Sequence, residues 1–367
     1  MATIVTVFTG TVSTATVFVV EIAKSLVEDW GAVAPAFEAM ADTSGVHIHS
    51  VISLERLGGG FWAELWRADL DTSDGPRSVV LRRMPDPVLA VKEATVQGAL
   101  ASTGFPAPGV LWFDHGPEGP AQMVMELAVG SPILAGLEGP GALMRLARVA
   151  WAMPDLLAEV SSTLHAAAVA PVRAALEDVG NEAAVELDQV LGWLERGAAD
   201  ARREDLMRAM GALRSAQPEL APSVVCHGDL HPLNVMTDGV NWSLIDWTAC
   251  ALTDPAYDVA FTNMLLRHPP LAAPAALSPV LSMAGRGLAS KFIRSYNRRT
   301  ALAVTEERLR WFEAVHGFRM LLELHWLRAA HPSGVPQHHP WLSLEPHAKE
   351  ALFDHPSTRS ARLTHHR

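Results

Sequence analysis

The most constraining feature of this sequence is a polar loop enclosed by two apolar, strand-like pieces. The segment runs from residue 227 to 247 and reads HGDLHPLNVMTDGVNWSLIDW. Asp229 and Asp246 lie beside strongly apolar stretches, where an ionised carboxylate is costly unless it has a cation, hydrogen-bond donors or a proton to handle. The chain must therefore fold so that these carboxylates, and Asn234 between them, receive such partners.

The pattern around this loop changes from β-rich to helical along the chain. Residues 47–128 contain short alternating segments typical of strands, and one helical stretch, DPVLAVKEATVQGALAST, that Gly104 can end. Residues 129–330 are dominated by long Ala/Leu-rich amphipathic segments. Together they predict an α+β fold of two lobes around a cleft: a small antiparallel-sheet lobe with one main helix, and a larger, mostly helical lobe.

The two ends of the chain carry less information. Residues 1–46 form a leader of unknown role, in which 1–20 are strand-like and 21–41 predict a helix interrupted near Pro35. Residues 331–367 are rich in Pro and His and lack periodicity, so they predict a loosely held tail. Its seven histidines are better explained by solvation than by metal binding.

Composition places the chain among ordinary globular proteins and argues against some partners. It has 367 residues, 49% of them apolar, which is enough for two lobes with a sizeable core. Because 40 acidic residues face 29 basic ones, the formal charge is −11, and a nucleic-acid partner is not expected. No apolar run approaches the ~20 residues of a membrane span, so no membrane partner is expected either.

Cysteine usage favours a reducing compartment. The chain has two cysteines, Cys226 and Cys250, which rules out a disulfide framework and is typical of small buried side chains. No basic region precedes the first apolar stretch, so a secretory signal is not expected. We expect a cytoplasmic protein.

The spacing of the polar residues in the loop indicates phosphoryl transfer. Asn234 follows Asp229 by five residues and Asp246 follows twelve later, which is the order of the protein-kinase catalytic loop. A substrate hydroxyl needs a carboxylate to orient it and take its proton, so Asp229 is the candidate base. The Mg²⁺ that accompanies a nucleoside triphosphate prefers oxygen ligands, which Asn234 and Asp246 can supply. A capped turn with local hydrogen bonds is the alternative, and it does not explain Asp246.

Three segments resemble the aminoglycoside phosphotransferase family, whose relatives include choline, homoserine and macrolide kinases. They are HGDLHPLNVM, LIDWTACALTDPAYDVAF and VVLRRM, and the resemblance covers roughly residues 50–328. It implies a protein-kinase-like fold and the ATP- or GTP-dependent, Mg²⁺-assisted phosphorylation of a hydroxyl on a small molecule. It also implies that Asp229 is the base and that Asn234 and Asp246 bind the metal.

A glycine triplet occupies the position of a nucleotide-binding loop between two predicted strands. Gly58, Gly59 and Gly60 would allow backbone amides to approach phosphates closely, although a plain hairpin would use the same residues. The family often has a small polar residue after these glycines. Phe61 and Trp62 stand there instead, so a side-chain phosphate contact from this loop is in doubt.

The strand VVLRRM and the helix after it predict a cationic phosphate contact. Arg82 stands where kinases have lysine, and its guanidinium can bind phosphate oxygens bidentately. Strand alternation puts Arg83 on the other face, where we expect a solvated charge. Glu93 is expected to pair with Arg82, with a surface position as the alternative. The backbone from Glu126 to Ala128 is expected to bind the purine.

Three further residues are candidates for support of the loop. Asp254, followed by Pro255, predicts a helix N-cap with proline at the first helical position. Asp258, one turn later, could reach back to the loop backbone, and we expect a structural rather than a catalytic role. His227 is expected to brace the loop by hydrogen bonding.

Two other functions remain open at this point. The order His227-x-Asp229-x-His231 also occurs in metal-dependent hydrolases, but a zinc site needs three or four convergent ligands and would leave Asn234 and Asp246 unexplained. A non-catalytic nucleotide-binding module of the same fold is suggested by the altered glycine loop and Arg82, whereas the intact Asp229 argues against it.

Overall fold

The protein divides into two compact units. The first extends to Val129 and includes a short piece of chain from Ala175, and the second takes the remainder. The computed structural model describes residues 14–58, 63–115, 120–135, 142–180, 185–270, 278–332, 334–335 and 339–363. None of the helices in these ranges combines the length and apolar character needed to cross a bilayer.

The first unit is built on a five-stranded antiparallel sheet with the strand order β1-β2-β3-β5-β4. All the strands that the sequence predicts from residue 47 onward in this unit are present. Strands β2 and β3 form a tight hairpin, in which Gly75 adopts a φ of 102° that other residues rarely take. The elements are α1 (Thr14–Ser44), β1 (Ile48–Leu57), β2 (Glu64–Thr72), β3 (Gly75–Met84), α2 (Pro87–Ser102), β4 (Val110–Asp114) and β5 (Ala121–Glu126).

Helix α2 begins and ends where its sequence predicts. The Asp86 carboxylate accepts hydrogen bonds from the amides of Val88 (2.9 Å) and Leu89 (3.1 Å), and Pro87 occupies the first turn. After Ser102 the chain turns through Gly104, whose φ is 83°. This fixes the helix that carries Glu93.

Helix α1 covers one face of the sheet and corrects the prediction for the leader. The segment 14–20, expected to be strand-like, is helical, and the helix continues through Pro35 without interruption. The reason is tertiary packing: one side of α1 buries apolar side chains against the sheet, and this outweighs the local cost of proline. The buried residues are Val33, Ala36, Phe37 and Met40 on α1, and Trp66, Ala68, Leu70, Val79, Leu81 and Val124 on the sheet.

The opposite face of the same sheet packs against α2. Val80, Met123 and Met125 form a buried cluster with Ala94 of this helix. Because side chains alternate along a strand, Val80 and Arg82 share this face, whereas Val79 and Leu81 face α1. The unit is therefore a helix–sheet–helix sandwich, and Arg82 lies on the α2 side.

The second unit is mostly helical and holds two small sheets, one of order β6-β8-β9 and one pairing β10 with β7. Its strands are β6 (Ser131–Pro132), β7 (Val224–Cys226), β8 (Val235–Thr237), β9 (Trp242–Leu244) and β10 (Ala251–Thr253). Its helices are α3 (Ala142–His165), α4 (Val169–Asp178), α5 (Leu187–Asp200), α6 (Glu204–Ser215), α7 (Ala256–Arg267), α8 (Ser278–Arg299), α9 (Glu306–Ala330), α10 (Pro340–Phe353) and α11 (Pro356–Leu363). The last residues of α4, from Ala175 onward, count with the first unit. An antiparallel-sheet unit and a mostly helical one confirm the predicted α+β class.

Helix α9 lies at the centre of the second unit. It packs against α5, α6, α7 and α10, and Trp311, Phe312 and Phe318 are fully buried. The C-terminal segment, expected to be a loosely held tail, instead forms α10 and α11. Its Leu344 and Leu352 are buried, because the apolar side of α10 packs against α9. The Pro and His residues between these positions obscure the helical pattern in the sequence.

Candidate active site

The polar loop follows β7, and its first turn can be formed only by glycine. Gly228 has a φ of 77°, and a Cβ placed on it would lie 2.1 Å from the carbonyl oxygen of Ala249. Ala249 leads into β10, which pairs with β7. The loop therefore starts in close contact with the neighbouring strand, and any side chain at position 228 would push the two apart.

Asp258, in the first turn of α7, holds the backbone of this loop. Its carboxylate accepts hydrogen bonds from the amides of His227 (2.8 Å) and Gly228 (2.6 Å), and lies 3.1 Å from Nε2 of His165. Burial by itself would raise the pKa of Asp258, but the contact with His165 and these hydrogen bonds outweigh it and lower the pKa. The predicted reach of Asp258 to the loop backbone is present, and the group stays ionised.

Asp229 is the half-buried carboxylate that this arrangement positions. Arg319 of α9 donates to the carbonyl of Gly228 (2.7 Å) and lies 3.3 Å from Asp229 Oδ1, while Nε2 of His231 lies 3.4 Å from Oδ2. Burial alone would raise the pKa of Asp229. The hydrogen bond and charge of His231, followed by the charge of Arg319, hold it well below its usual value. Asp229 is therefore ionised and oriented at neutral pH.

Asn234 and Asp246 are brought to the same place by the β8–β9 hairpin. Val235 pairs with Leu244, and the amide of Ile245 donates to the carbonyl of Asn234 (3.1 Å), so Asp246 follows directly after the partner of Asn234. The side-chain amide of Asn234 donates to the carbonyl of Asp229 (3.0 Å). Asn234 is thus in direct contact with Asp229, and the hairpin places Asp246 one residue beyond the backbone partner of Asn234.

The oxygen atoms of this cluster are suitable ligands for a hard divalent cation. With Nδ2 of Asn234 committed to Asp229, the amide can present Oδ1 to an ion, and Asp246 adds a carboxylate. Asp246 has a φ of 68°, an uncommon conformation for a residue with a side chain, and its Oδ1 accepts a hydrogen bond from Thr248 (2.8 Å). Such backbone strain is often retained at functional positions.

His227 joins the loop to the end of β9. Its Nδ1 accepts a hydrogen bond from the amide of Asp229 (3.2 Å), which leaves the proton on Nε2 to donate to the carbonyl of Ile245 (2.9 Å). Burial lowers its pKa, so the ring is neutral. Because both ring nitrogens are bound to backbone groups, His227 is poorly placed to serve as a zinc ligand, and the geometry disfavours the hydrolase alternative.

A second cluster of metal-binding residue types is equally ill suited to zinc. His165, Cys226 and Asp258 lie close together and are buried. Burial and the charge of Asp258 raise the pKa of Cys226 well above its usual value, so the thiolate that zinc prefers is disfavoured. The Nδ1 of His165 already bonds to the hydroxyl of Tyr296 (2.8 Å).

Asp254 ties the start of α7 to two other segments. Its carboxylate accepts hydrogen bonds from the amides of Ala256 (2.7 Å) and Ala221 (2.7 Å) and pairs with Arg308 of α9 (2.8 Å). The helix begins at Ala256, and Pro255 takes the cap position that the sequence assigned to Asp254. The side chain nevertheless satisfies an amide at the helix start, as a cap does.

In the first unit, Arg82 and Glu93 form the predicted pair. Nε of Arg82 lies 2.9 Å from Oε2 of Glu93, and both side chains are buried. The surface alternative for Glu93 is therefore wrong. Arg83 was expected to be solvated, but it donates to Gln122 (3.1 Å) and to the carbonyl of Ala32 (2.5 Å). The carbonyl belongs to α1, whose packing the sequence did not reveal.

The structure describes some of the remaining nucleotide-binding candidates. Gly58 is exposed, and a Cβ placed on it would meet no atom within 4 Å. Gly59 and Gly60, with Phe61 and Trp62 after them, lie outside the described residues. The amide of Glu126 donates to the carbonyl of Gly109 (2.9 Å), and its carboxylate accepts from the amide of Gly109 (3.1 Å). Purine binding by Glu126 and Ala128 stays a prediction.

Two residues of this site were missed in the sequence. Arg319 contacts Asp229 of the loop and His165 contacts its brace, Asp258, and each pair is separated by about 90 residues along the chain. The available signal was weak: each is an ionisable residue beside apolar neighbours in a helical stretch, Arg319 in FRMLL and His165 in LHAAA. A buried lone charge of this kind requires a partner, but the sequence does not identify it.

The chain is similar to known proteins in its sequence pattern and in its fold. Residues 54–277 match the model of APH, a phosphotransferase enzyme family. A provisionally assigned aminoglycoside phosphotransferase from Ralstonia eutropha JMP134 has a TM-score of 0.60 at 17% identity, covering 90% of this chain and 98% of that one. A choline/ethanolamine kinase family protein from Mesorhizobium loti has a TM-score of 0.53 at 18% identity, covering 90% and 98%.

A third similar structure was solved with ligands bound. It is a thermostable mutant of the aminoglycoside phosphotransferase APH(4)-Ia in a ternary complex with AMP-PNP and hygromycin B, with a TM-score of 0.52 at 20% identity, covering 83% of this chain and 94% of that one. At these identities the likeness shows the fold. No curated protein sequence matches the chain at a significant level. The family match spans more than half of the chain, and the chain belongs to the APH family of phosphotransferase enzymes.

Proposed function

We propose that this protein transfers the γ-phosphoryl group of ATP or GTP to a hydroxyl of a small molecule, with Mg²⁺ as cofactor. The observation that carries the proposal is the state of Asp229, which is ionised, oriented by Arg319 and His231, and left half-buried beside Asn234. A carboxylate in this state can accept a hydrogen bond from an acceptor hydroxyl. A module that only bound nucleotide would not require it.

Asp229 orients the acceptor and receives its proton late in the reaction. Its lowered pKa makes it a weak base, so it does not abstract a proton from a free alcohol. As the hydroxyl oxygen bonds to the γ-phosphorus, the bond from that phosphorus to the bridging oxygen breaks and the nucleoside diphosphate leaves. The hydroxyl proton becomes strongly acidic during this step and passes to Asp229. Positioning and electrostatics therefore supply most of the acceleration.

The other polar groups hold the reactants and the loop. Asn234 and Asp246 would hold Mg²⁺, which neutralises charge on the transferring phosphoryl group when bound. Arg82, fixed by Glu93, offers a guanidinium for phosphate oxygens. The AMP-PNP and hygromycin B bound to the similar APH(4)-Ia structure support a nucleotide and a small-molecule acceptor. Both cysteines are free thiols, which is typical of proteins in a reducing compartment, and we propose that the protein is cytoplasmic.

A ligand screen followed by a transfer assay tests this function. Nucleotides with and without Mg²⁺ are screened by thermal shift, since a ligand at ~100-fold its dissociation constant stabilises the native state by about 2.7 kcal/mol. Amino sugars, macrolides and amino alcohols are then offered with the nucleotide that binds, and phosphorylated product is sought by mass spectrometry. We expect Mg²⁺-dependent binding and one phosphorylated acceptor class.

The outcomes separate the alternatives. Nucleotide binding without transfer to any acceptor would favour the non-catalytic module. If no nucleotide raised the melting temperature and no product formed, the proposal would fail. The variant Asp246→Asn tests the metal site: nucleotide binding should no longer depend on Mg²⁺, while the protein remains folded.

A further inference from the structure

Helix α8 has a charge composition opposite to that of the chain as a whole. The protein has 40 acidic and 29 basic residues, yet α8 carries five basic residues and no acidic one. They are Arg286, Lys291, Arg294, Arg298 and Arg299. Among the described residues, Arg286, Arg294 and Arg298 form no ion pair. A strongly acidic protein therefore presents a local surplus of positive charge at this helix.

The outer face of α8 combines these charges with exposed apolar side chains. At 100° per residue, Val280, Met283, Lys291, Arg294 and Arg298 fall within one quarter of the helix circumference. Val280 is 58% exposed and Met283 is 64% exposed. The opposite face is buried and includes Ala289, Phe292 and Tyr296. The exposed face is thus apolar toward the start of the helix and cationic toward its end.

Helix α3 extends this face with a second apolar stripe. Met144 is 78% exposed and Trp151 is 74% exposed, and both share one side of α3 with Arg148. The two helices pack together, and Lys291 Nζ lies 4.2 Å from the ring centroid of Trp151. Lys291 also pairs with Asp155 at 2.8 Å. We name the combined face the α3/α8 surface: Met144, Trp151, Val280, Met283, Arg294 and Arg298.

The chemistry of this surface fits a lipid interface better than a protein partner. Its apolar side chains are more than half exposed, so they project from the helices and do not line a groove. A protein partner would need a complementary pocket for each of them, whereas the boundary between headgroups and acyl chains accepts projecting Trp, Met and Val side chains without matching. Anionic headgroups need only an excess of positive charge, and they attract Arg and Lys close to the membrane surface.

We propose that the α3/α8 surface docks this protein on an anionic lipid bilayer. The protein lies on the bilayer, with Trp151 and the methionines at the headgroup boundary and Arg294 and Arg298 against the phosphates. The acidic remainder of the chain is repelled by the same headgroups, which orients the protein with this face down. This revises the expectation of no membrane partner, which rested on the lack of an apolar run long enough to span a bilayer. It does not depend on the reaction proposed above.

Vesicle flotation of the full-length protein tests the proposal. The probes are vesicles of phosphatidylcholine and vesicles of phosphatidylcholine mixed with phosphatidylglycerol. We expect the protein to float with the mixed vesicles, not with the neutral ones, and to detach as salt screens the charges. Replacing each arginine by glutamine in the double variant Arg294→Gln/Arg298→Gln should lower the partition coefficient about five-fold per residue, which corresponds to about 1 kcal/mol each.

Matched variants separate a specific face from general charge. Arg196→Gln/Arg208→Gln removes two exposed arginines from α5 and α6 and should leave flotation unchanged. Trp151→Ala should weaken it while preserving the melting temperature, because the side chain is mostly exposed. The proposal is overturned if the protein ignores the mixed vesicles, if both double variants lose binding equally, or if the surface instead mediates self-association in their absence.

Discussion

Replacing Asp258 by alanine should destabilise the second unit strongly and displace the polar loop. The carboxylate is fully buried and accepts hydrogen bonds from the amides of His227 and Gly228, so both N–H groups would lose their acceptor in a place that water does not reach. An unsatisfied buried donor costs about 1–3 kcal/mol, and more when its acceptor was charged. His165 also loses a partner. We expect the free energy of unfolding to fall by roughly 3–5 kcal/mol.

Urea unfolding followed by tryptophan fluorescence measures this change, and amide hydrogen exchange locates it. Exchange at the amides of His227 and Gly228 should accelerate in the variant. Asp238→Ala is the matched control, because Asp238 also accepts two backbone amides, those of Val240 (2.8 Å) and Asn241 (2.7 Å), but in an exposed turn. Water can replace that acceptor, so its effect should be much smaller. Equal effects of the two substitutions would refute the reasoning.

Three further perturbations follow from the structure. Glu93→Gln leaves the buried Arg82 without its carboxylate and should cost about 3–5 kcal/mol; an unchanged melting temperature would contradict this. Phe37→Ala removes a fully buried ring between α1 and the sheet and should lower the free energy of unfolding by about 3–5 kcal/mol. Urea unfolding measures this change, and an unchanged value would show that the packing of α1 does not stabilise the first unit. His316 has a pKa lowered to about 3 by burial and by the charge of Arg319, against 6.5 when unfolded. The unfolded chain binds this proton first, so stability should fall as the pH drops from 6.5 toward 3, by up to about 1.4 kcal/mol per pH unit. His316→Gln should flatten that slope in urea titrations, and an unaltered slope would argue against the assignment.

The parts of the site that the sequence predicted depend on short-range geometry. Asp229, Asn234 and Asp246 are separated by one loop and one hairpin, and the register of β8 and β9 places the last two side by side. Arg82 and Glu93 were predictable because strand alternation puts Arg82 on the face of Val80, and helical spacing puts Glu93 on the face of Val96 and Leu100. In both cases the distance along the chain is small enough for local rules to fix the arrangement.

The parts that escaped prediction depend on partners far away in the sequence. Arg319 contacts the loop from α9, and no spacing rule connects it with Asp229. The same holds for α1, where the packing of Phe37 on the sheet outweighs the local effect of Pro35. In the C-terminal segment, burial of Leu344 and Leu352 stabilises a helix that composition alone does not reveal. Tertiary burial decides each of these elements.

Net charge misleads in a related way. A value of −11 describes the whole chain, and it conceals the wholly basic character of α8. Only the structure shows that Arg294 and Arg298 share a face with exposed apolar side chains, and that Lys291 on this face adjoins Trp151. Binding to a membrane or partner depends on the charges of the contacting surface and not on the net charge of the chain, because salt screens the charges that lie farther away.

The most direct test of the central claim compares Asp229→Asn with the unaltered protein in two assays on the same preparations. Single-turnover phosphoryl transfer to the acceptor found by screening measures the chemical step, and calorimetry measures nucleotide affinity. If Asp229 orients the hydroxyl and takes its proton, transfer should slow by about 10²–10⁴-fold while the affinity for Mg²⁺–nucleotide stays nearly constant. Transfer at the unaltered rate in Asp229→Asn would contradict the account.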